Sequence, residues 1–186
     1  FQLWANLPSA LKMTDPRYQD IAGNDVPQII DDDGTVVKII TGNFWGKAGP
    51  VDGIAANPLF LDVSIPPNGR KTLPVDTRAN AFAYVFAGQG SFVDASTPVG
   101  VRVEKEVAGQ ELNIRDMTGN RTLVRFGNGD DVTVQAGPDG VRFLLIAGRP
   151  LQEPVAWHGP IVMNTQAELQ QAMRDLQNGN FIKAAH

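Results

Sequence analysis

The stretch that decides the fold is residues 131–147, DVTVQAGPDGVRFLLIA. In residues 131–135 valine alternates with polar residues, which is typical of a strand with one buried face. In residues 141–147 apolar residues follow one another, as in a strand that is covered on both faces. The glycines and the proline of residues 137–140 favour a turn. We therefore predict two strands joined by a turn.

Similar short runs recur along the rest of the chain. They are residues 1–5, 36–41, 59–65, 81–87, 101–107, 111–114 and 123–126. Turn sequences lie at residues 31–34, 67–69 and 127–130, and the last of these suits a tight reversal with positive φ. The pair Gly88 and Gly90, at a strand end, indicates another hairpin turn. Strands this short at this spacing predict an all-β sandwich or small barrel, and not βαβ units.

One helix is predicted near the end of the chain, at about residues 165–178. Thr165 followed by Glu168 forms a capping-box sequence at its start. Its apolar face carries Leu169, Ala172, Met173 and Leu176. Gly179 is suited to the position that follows the last helical turn. Because the helix has one apolar face, we expect it to cover a sheet.

Composition excludes several classes of function. The 186 residues include 16 Lys and Arg against 20 Asp and Glu, with no long run of either sign, so we predict no direct binding of nucleic acid. No apolar stretch approaches the roughly 18–20 residues of a membrane helix. The absence of cysteine excludes disulfides, zinc ribbons, iron–sulfur ligation and a thiol nucleophile. It also fits a reducing compartment, and we predict a cytoplasmic protein.

Catalytic and metal-binding residues are scarce. A mononuclear iron or zinc site needs several imidazoles or carboxylates that converge on the metal. The chain has only two histidines, His158 and His186, so a three-histidine site is impossible within it. Neither a nucleophile-elbow Gly-x-Ser-x-Gly nor a phosphate-binding glycine pattern is present. We predict that this chain alone has no catalytic, cofactor-binding or metal-binding residue.

Two acidic clusters and one histidine are candidate sites. Residues 31–33, and Asp130 with Asp131, could bind calcium or act as acid and base. Both clusters lie beside turn glycines, so we favour solvated turn residues that accept local backbone hydrogen bonds. His158, in the segment Trp-His-Gly-Pro at residues 157–160, could orient a partner or a substrate. A structural hydrogen-bonding role for it is the favoured interpretation.

Four segments, taken together, carry a family resemblance. They are FQLWANLP at residues 1–8, KMTDPRYQ at 12–19, RFLLIAGRPL at 142–151 and EPVAWHGPIVMNT at 153–165. In this order they resemble the C-terminal half of the pirin family, and only residues 91–121 match weakly. The resemblance implies a cupin-type jelly-roll β-barrel or sandwich with one C-terminal helix.

The resemblance also implies a domain organisation. Pirins are bicupins, and their N-terminal cupin binds iron through three histidines and a glutamate. Residues 1–8 would then be the closing strand of a truncated N-terminal cupin, and residues 9–27 the interdomain connector. Residues 28–186 would form the C-terminal cupin domain. The iron is expected in the N-terminal cupin, which would be an intramolecular partner of this chain.

The second cupin can be compared with metal-binding relatives. Residues 70–75 and 141–142 stand where such relatives place ligands, and they are apolar or basic. The resemblance therefore implies a metal-free second barrel, packed with side chains.

The resemblance leaves several functions open. The intact protein would act on a flavonol as a quercetin 2,3-dioxygenase, or serve as a regulatory module that binds transcription factors. A stand-alone structural or carbohydrate-binding jelly roll is a third hypothesis. As a truncated piece, the chain would expose residues 1–7 as an unpaired apolar strand, through which we expect it to dimerise.

Overall fold

A computed structural model of the chain describes residues 2–55, 57–92, 102–105, 111–113 and 118–182. The chain divides into two compact units. We call Ile21–Pro150 the β unit, and Phe1–Asp20 together with Leu151–His186 the terminal unit. The domain boundaries expected from the sequence, residues 1–8, 9–27 and 28–186, refer to a longer two-domain protein and stay a prediction.

The β unit consists of antiparallel strands that follow a short 3-10 helix, Gly23–Asp25. The first six strands are β1 (Gln28–Ile30), β2 (Val36–Thr41), β3 (Asn43–Phe44), β4 (Lys47–Ala48), β5 (Leu59–Ile65) and β6 (Arg70–Pro74). The next six are β7 (Asn80–Ser91), β8 (Arg102–Lys105), β9 (Glu111–Asn113), β10 (Thr118–Gly119), β11 (Thr122–Arg125) and β12 (Asp131–Gly148). The main sheet has the order β1-β2-β5-β12-β7-β11-β8-β9, while β6 also pairs with β12 and β10 with β7. The strands β3 and β4 form a separate hairpin.

The long strand β12 folds the sheet over. Its first part, Asp131 to Gln135, pairs with β6, and its second part, Val141 to Ala147, pairs with β5. Its register against β7 shifts between these two parts. The predicted turn at residues 137–140 is therefore wrong, since these residues form a bulge inside one bent strand. The predicted hairpin at Gly88 and Gly90 is wrong for the same reason, since both residues lie within β7.

Glycine is required where the two bent strands meet. Gly88 has φ +65° and Gly140 has φ +78°. A Cβ atom on Gly88 would collide with the carbonyl oxygen of Gly140, and one on Gly140 would lie 2.8 Å from the carbonyl oxygen of Ile65. Neither position can accommodate a side chain, because the backbone is in the left-handed region and the space beside it is filled. The two glycines therefore permit the bend.

Alternation along the strands builds the core. In β2 and β5 every second residue is buried, as the sequence predicts. The largest fully buried side chains are Phe143, Ile39, Leu61, Ile65, Leu73, Leu145, Val37, Val63, Val85, Val124 and Val134. Leu144 and Ile146 are buried as well, although they project from the opposite face of β12. The prediction of a strand that is covered on both faces is thus confirmed.

The predicted turns have mixed outcomes. At residues 31–34 the Gly34 N–H donates to the Asp31 carbonyl oxygen over 2.9 Å, and at residues 67–69 the Gly69 N–H donates to that of Pro66. Both turns are confirmed. Residues 127–130 do not form the predicted reversal, because none of them has a positive φ and the strands that they join, β11 and β12, do not pair. Residues 2–5 belong to no strand in the part of the chain that is described.

The terminal unit is a helix on a hairpin. It contains a 3-10 helix, Ser9–Leu11, then β13 (Ala156–His158), β14 (Ile161–Met163) and α1 (Gln166–Gln177). Strands β13 and β14 pair in an antiparallel hairpin, and α1 packs against both. The buried apolar residues are Ala156, Ile161, Met163, Leu169 and Ala172. The predicted helix is confirmed, and it covers a sheet of two strands.

The ends of α1 follow the sequence, and its buried face differs by one position. The Glu168 N–H donates to Thr165 Oγ1, and Glu168 Oε2 accepts from the Thr165 N–H, so the capping box is formed. Gly179 has φ +71° after the last turn. Leu176 was expected on the buried face but is 48% exposed, while Asp175 is buried. Gln171 Nε2 donates to Asp175 Oδ1 over 2.8 Å, which satisfies that carboxylate inside the helix face.

Candidate functional site

Apolar side chains occupy two of the positions that the family resemblance aligns with metal ligands. Leu73 of β6 and Val141 of β12 are buried among the apolar residues of the core. Arg142 lies 2.9 Å from Asp62, between its Nε and Oδ1, with its guanidinium over the Phe86 ring. No group of three His, Cys, Asp or Glu residues that could hold a metal occurs among the described residues. These side chains do not fit an iron site.

The described part of the β unit has an open cavity of about 600 Å³, which we call the rim cleft. Its lining includes Phe44, Trp45, Asp52, Asn57, Asp76 and Arg149. The loop after β2 forms one wall, where the Gly49 N–H donates to the Gly42 carbonyl oxygen over 2.8 Å. Thr41 Oγ1 also donates to the Val51 carbonyl oxygen over 2.8 Å. The cleft has the size of a small-molecule site.

Trp45 is the aromatic residue of the cleft that is partly exposed, whereas Phe44 is buried in the core. Its φ of +44° is rare for a bulky residue. Its ring lies 4.6 Å from that of Phe44, and Lys71 Nζ lies 5.1 Å from its centroid in a cation–π contact. Lys71 in turn forms ion pairs with Asp31 and Asp33. The indole is therefore held by contacts that reach back to the first turn of the β unit.

The ion pairs of Lys71 change the pKa values of Asp33 and of Lys71 itself. The hydrogen bond from Lys71 lowers the pKa of Asp33 to about 2, although partial burial opposes the shift. Burial alone would lower the pKa of Lys71, but the hydrogen bonds to Asp31 and Asp33 raise it above its ordinary value. Lys71 therefore stays protonated, which the contact with Trp45 requires.

A second wall of the cleft is polar. Arg78 donates to Asp76 from its backbone N–H over 2.9 Å and from its guanidinium over 3.1 Å. Arg149 Nη2 donates to Asp76 Oδ2 over 3.1 Å. The guanidinium of Arg78 is the main cause of a pKa of Asp76 well below its ordinary value. Asp76 is thus a carboxylate that orients Arg149 at the cleft.

The terminal unit has an apolar groove of about 480 Å³, which includes Trp4, Val155, Trp157, Ile161 and Phe181. Trp4 is 73% exposed and Trp157 is 70% exposed. The Trp157 Nε1–H donates to the Gly159 carbonyl oxygen over 2.6 Å, which fixes the indole at the hairpin turn.

Glu153 ties the N-terminal segment to the rest of the terminal unit. Its Oε2 accepts from the Ser9 N–H over 2.7 Å and from Asn164 Nδ2 over 2.9 Å. The hydrogen bond from the Ser9 backbone is the main cause of a lowered pKa of Glu153. Both partners stabilise the charged carboxylate, so the contact persists at neutral pH.

The candidate site residues predicted from the sequence have different environments in the structure. The Asp31 and Asp33 carboxylates accept local backbone hydrogen bonds from Asp32 and Thr35, as predicted, but the ion pairs with Lys71 were not anticipated. Asp130 lies just before β12, and Asp131 is its first residue. Neither residue lines the rim cleft or the apolar groove of the terminal unit. His158 is exposed, and its ring forms no hydrogen bond with the described residues, so the favoured structural role is not observed. His186 lies outside the described residues.

Sequence reasoning missed the cleft residues Trp45, Asp76 and Arg149. Trp45 stands in Asn-Phe-Trp-Gly at residues 43–46, where an aromatic pair before a glycine was the only local signal.

Among the described residues, no helix has the length and apolar character that crossing a membrane requires.

The chain is similar in sequence to known proteins. The Pirin C-terminal cupin domain family matches residues 60–182. A pirin-like protein of Caulobacter vibrioides is 40% identical over 182 residues, which are 97% of this chain and 58% of that protein. Pirin of Homo sapiens is 34% identical, over 95% of this chain and 55% of its own length.

A solved structure agrees with these relatives. The crystal structure of quercetin 2,3-dioxygenase from Acinetobacter baumannii superposes with a TM-score of 0.74 at 28% identity, over 96% of this chain and 55% of that one. The predicted cupin-type all-β fold is therefore confirmed. The chain spans about half the length of the curated relatives that it matches. It belongs to the pirin family and contains the family's C-terminal cupin domain.

Proposed function

We propose that the chain is the metal-free C-terminal cupin half of a pirin-like protein, which supports an iron-binding N-terminal cupin with quercetin 2,3-dioxygenase-type activity. The observation that carries the proposal is the apolar filling of the second cupin, where Leu73, Val141 and Phe143 occupy the core. The similarity to quercetin 2,3-dioxygenase of Acinetobacter baumannii supports the reaction class. On this proposal the chain contributes a rigid domain, and a flavonol and O₂ react in the other half, in the cytoplasm.

Metal content and turnover test the proposal together. The chain is purified alone, and also in tandem with an iron-binding pirin N-terminal cupin. Each protein is incubated with Fe²⁺, desalted and analysed for iron, and quercetin loss is followed by its absorbance under O₂. We expect less than about 0.1 iron per chain and no turnover for the chain alone, with iron and turnover in the tandem protein. Stoichiometric iron in the chain alone would refute the metal-free half of the proposal.

An alternative is a regulatory protein-binding module without catalysis. It is favoured by the apolar groove of the terminal unit, where Trp4 and Trp157 are largely exposed. Large exposed aromatic side chains are common at protein interfaces. If the tandem protein holds iron but leaves quercetin unchanged, the regulatory function replaces the enzymatic one.

Dimerisation through residues 1–7 also stays a proposal. Sedimentation of the chain over a range of concentrations tests it. A dimer that is lost when residues 1–7 are deleted supports it, and a monomer at all concentrations refutes it.

A further inference from the structure

The rim cleft has the features of a binding site. These features do not depend on the proposed dioxygenase activity. Its wall is a loop in which Gly42 and Gly49 pack too closely for side chains, with a Cβ on Gly49 placed 2.7 Å from the Ile40 carbonyl oxygen. Two residues of the lining, Trp45 and Asn57, have a positive φ of 44°. Strained backbone of this kind costs free energy and clusters at ligand sites. The loop therefore holds two residues other than glycine in the left-handed region.

Trp45 provides a fixed apolar surface in this cleft. The ring is 37% exposed and lines the cavity. Lys71 Nζ lies 5.1 Å from the centroid of the ring, and the lining of the cleft includes Trp45 but not Lys71. Because Lys71 is itself held by two carboxylates, the indole needs little ordering when a ligand binds.

The polar groups around Trp45 both donate and accept hydrogen bonds. Asn43 and Asn57 provide amides, Asp52 a carboxylate, and Arg149 a guanidinium that Asp76 orients. Arg149 uses one of its N–H groups for Asp76, and its other N–H groups have no partner within the described part of the chain. The lining has the carboxylates of Asp52 and Asp76 and the guanidinium of Arg149, and Arg78 pairs with Asp76 from outside the lining. The charges of these four groups cancel, which favours an uncharged ligand over an ion.

We propose that the rim cleft binds a neutral saccharide, with one pyranose ring stacked on Trp45 and its hydroxyl groups bonded to Asn57 and Arg149. A pyranose has a face of C–H bonds that suits an indole, and a rim of hydroxyl groups that donate and accept. A concave site with an aromatic surface and a few convergent polar groups meets both requirements. The reaction attributed to the other half of the protein plays no part in this site.

Titration with defined sugars tests the proposal on the full chain. The probes are glucose, galactose, mannose and N-acetylglucosamine, each to 100 mM, followed by the ¹⁵N chemical shifts of the protein. We expect at least one of them to saturate with a Kd on the order of 1–10 mM, a usual range for weak small ligands. The shifts should concentrate in residues 42–58, 74–79 and 147–149. Glucuronate, with the same ring and a negative charge, should bind at least threefold more weakly.

Variants distinguish the cleft from other aromatic surfaces. Trp45→Leu should weaken sugar binding at least tenfold, and Trp45→Tyr should retain most of it, which separates loss of the ring from misfolding. Trp157→Leu is the matched control, because Trp157 is an exposed indole of the terminal unit, and it should leave binding unchanged. The proposal is overturned if none of the four sugars binds, if Trp45→Leu binds as the unsubstituted chain does, or if quercetin occupies the cleft while the sugars do not.

Discussion

The β unit and the terminal unit bury apolar side chains to different extents. In the β unit, Phe143, Leu61 and Val85 are completely inaccessible, because the folded sheet covers them from both sides. In the terminal unit a single helix lies on a hairpin, and its best-buried residues keep 4–6% exposure. The same unit exposes Trp4, Val155 and Trp157 to solvent. The β unit therefore buries its largest side chains more completely than the terminal unit does, and the terminal unit exposes more large aromatic surface.

The largest effect should follow a cavity in the β unit. Phe143→Ala removes a fully buried ring that meets Phe92 at 5.2 Å, and should lower the free energy of unfolding by about 3–5 kcal/mol. Urea denaturation followed by circular dichroism measures it. Trp157→Ser in the terminal unit is the control, and should change stability by less than about 0.5 kcal/mol. Equal effects of the two substitutions would remove the contrast between the units.

The bend of the sheet should be the next most sensitive place. Gly88→Ala puts a Cβ atom against the Gly140 carbonyl at a positive φ, and should cost about 1–3 kcal/mol for the conformation, with the collision in addition. Gly148→Ala, at the end of the same strand pair, has nothing within 4 Å of the added Cβ and should be nearly neutral. Thermal unfolding of both variants compares them. A neutral Gly88→Ala would mean that the bulge relaxes easily.

In the terminal unit a smaller and local effect is expected. Thr165→Ala removes the side chain that caps α1, and should destabilise the helix by about 1 kcal/mol. Hydrogen exchange of the α1 amides measures this, and the β unit should keep its protection. Thr165→Ser retains the hydroxyl group and should restore the exchange rates. Faster exchange throughout the β unit would show that the two units unfold together.

The smallest effect should depend on pH. The pKa of Asp33 is lowered to about 2 by Lys71, so the ionised carboxylate stabilises the folded chain above its ordinary pKa of 3.8, and this contribution is lost as pH falls through about 2. At pH 6, Asp33→Asn should cost less than about 1 kcal/mol, since the side chain is 40% exposed and solvent screens it. Well below pH 2 the two proteins should be equally stable. A difference that does not change between pH 6 and pH 2, in urea denaturation, would exclude the ion pair as its cause.

Local signals were sufficient for the longest regular elements. The bounds of β2 and β5 agree with the predicted residues 36–41 and 59–65, because alternating burial is a property of neighbouring residues. The capping box of α1 spans only four residues, and the structure contains it as predicted. The expected absence of metal ligands at the cupin positions rests on residue identity and a family resemblance, and it stays a prediction.

Only the tertiary structure decided the bend and the cleft. Residues 137–140 have the composition of a turn, and they form a bulge because β12 is paired on both sides by strands distant in sequence. Asp76 and Arg149 are 73 positions apart, and they meet because β7 and β12 are neighbours in the sheet. The sequence by itself therefore determined β2, β5, the two parts of β12 and α1, which depend on short-range patterns, but not the short strands β1, β6, β13 and β14. Pairing over long separations determined where the sheet turns and which side chains surround the rim cleft.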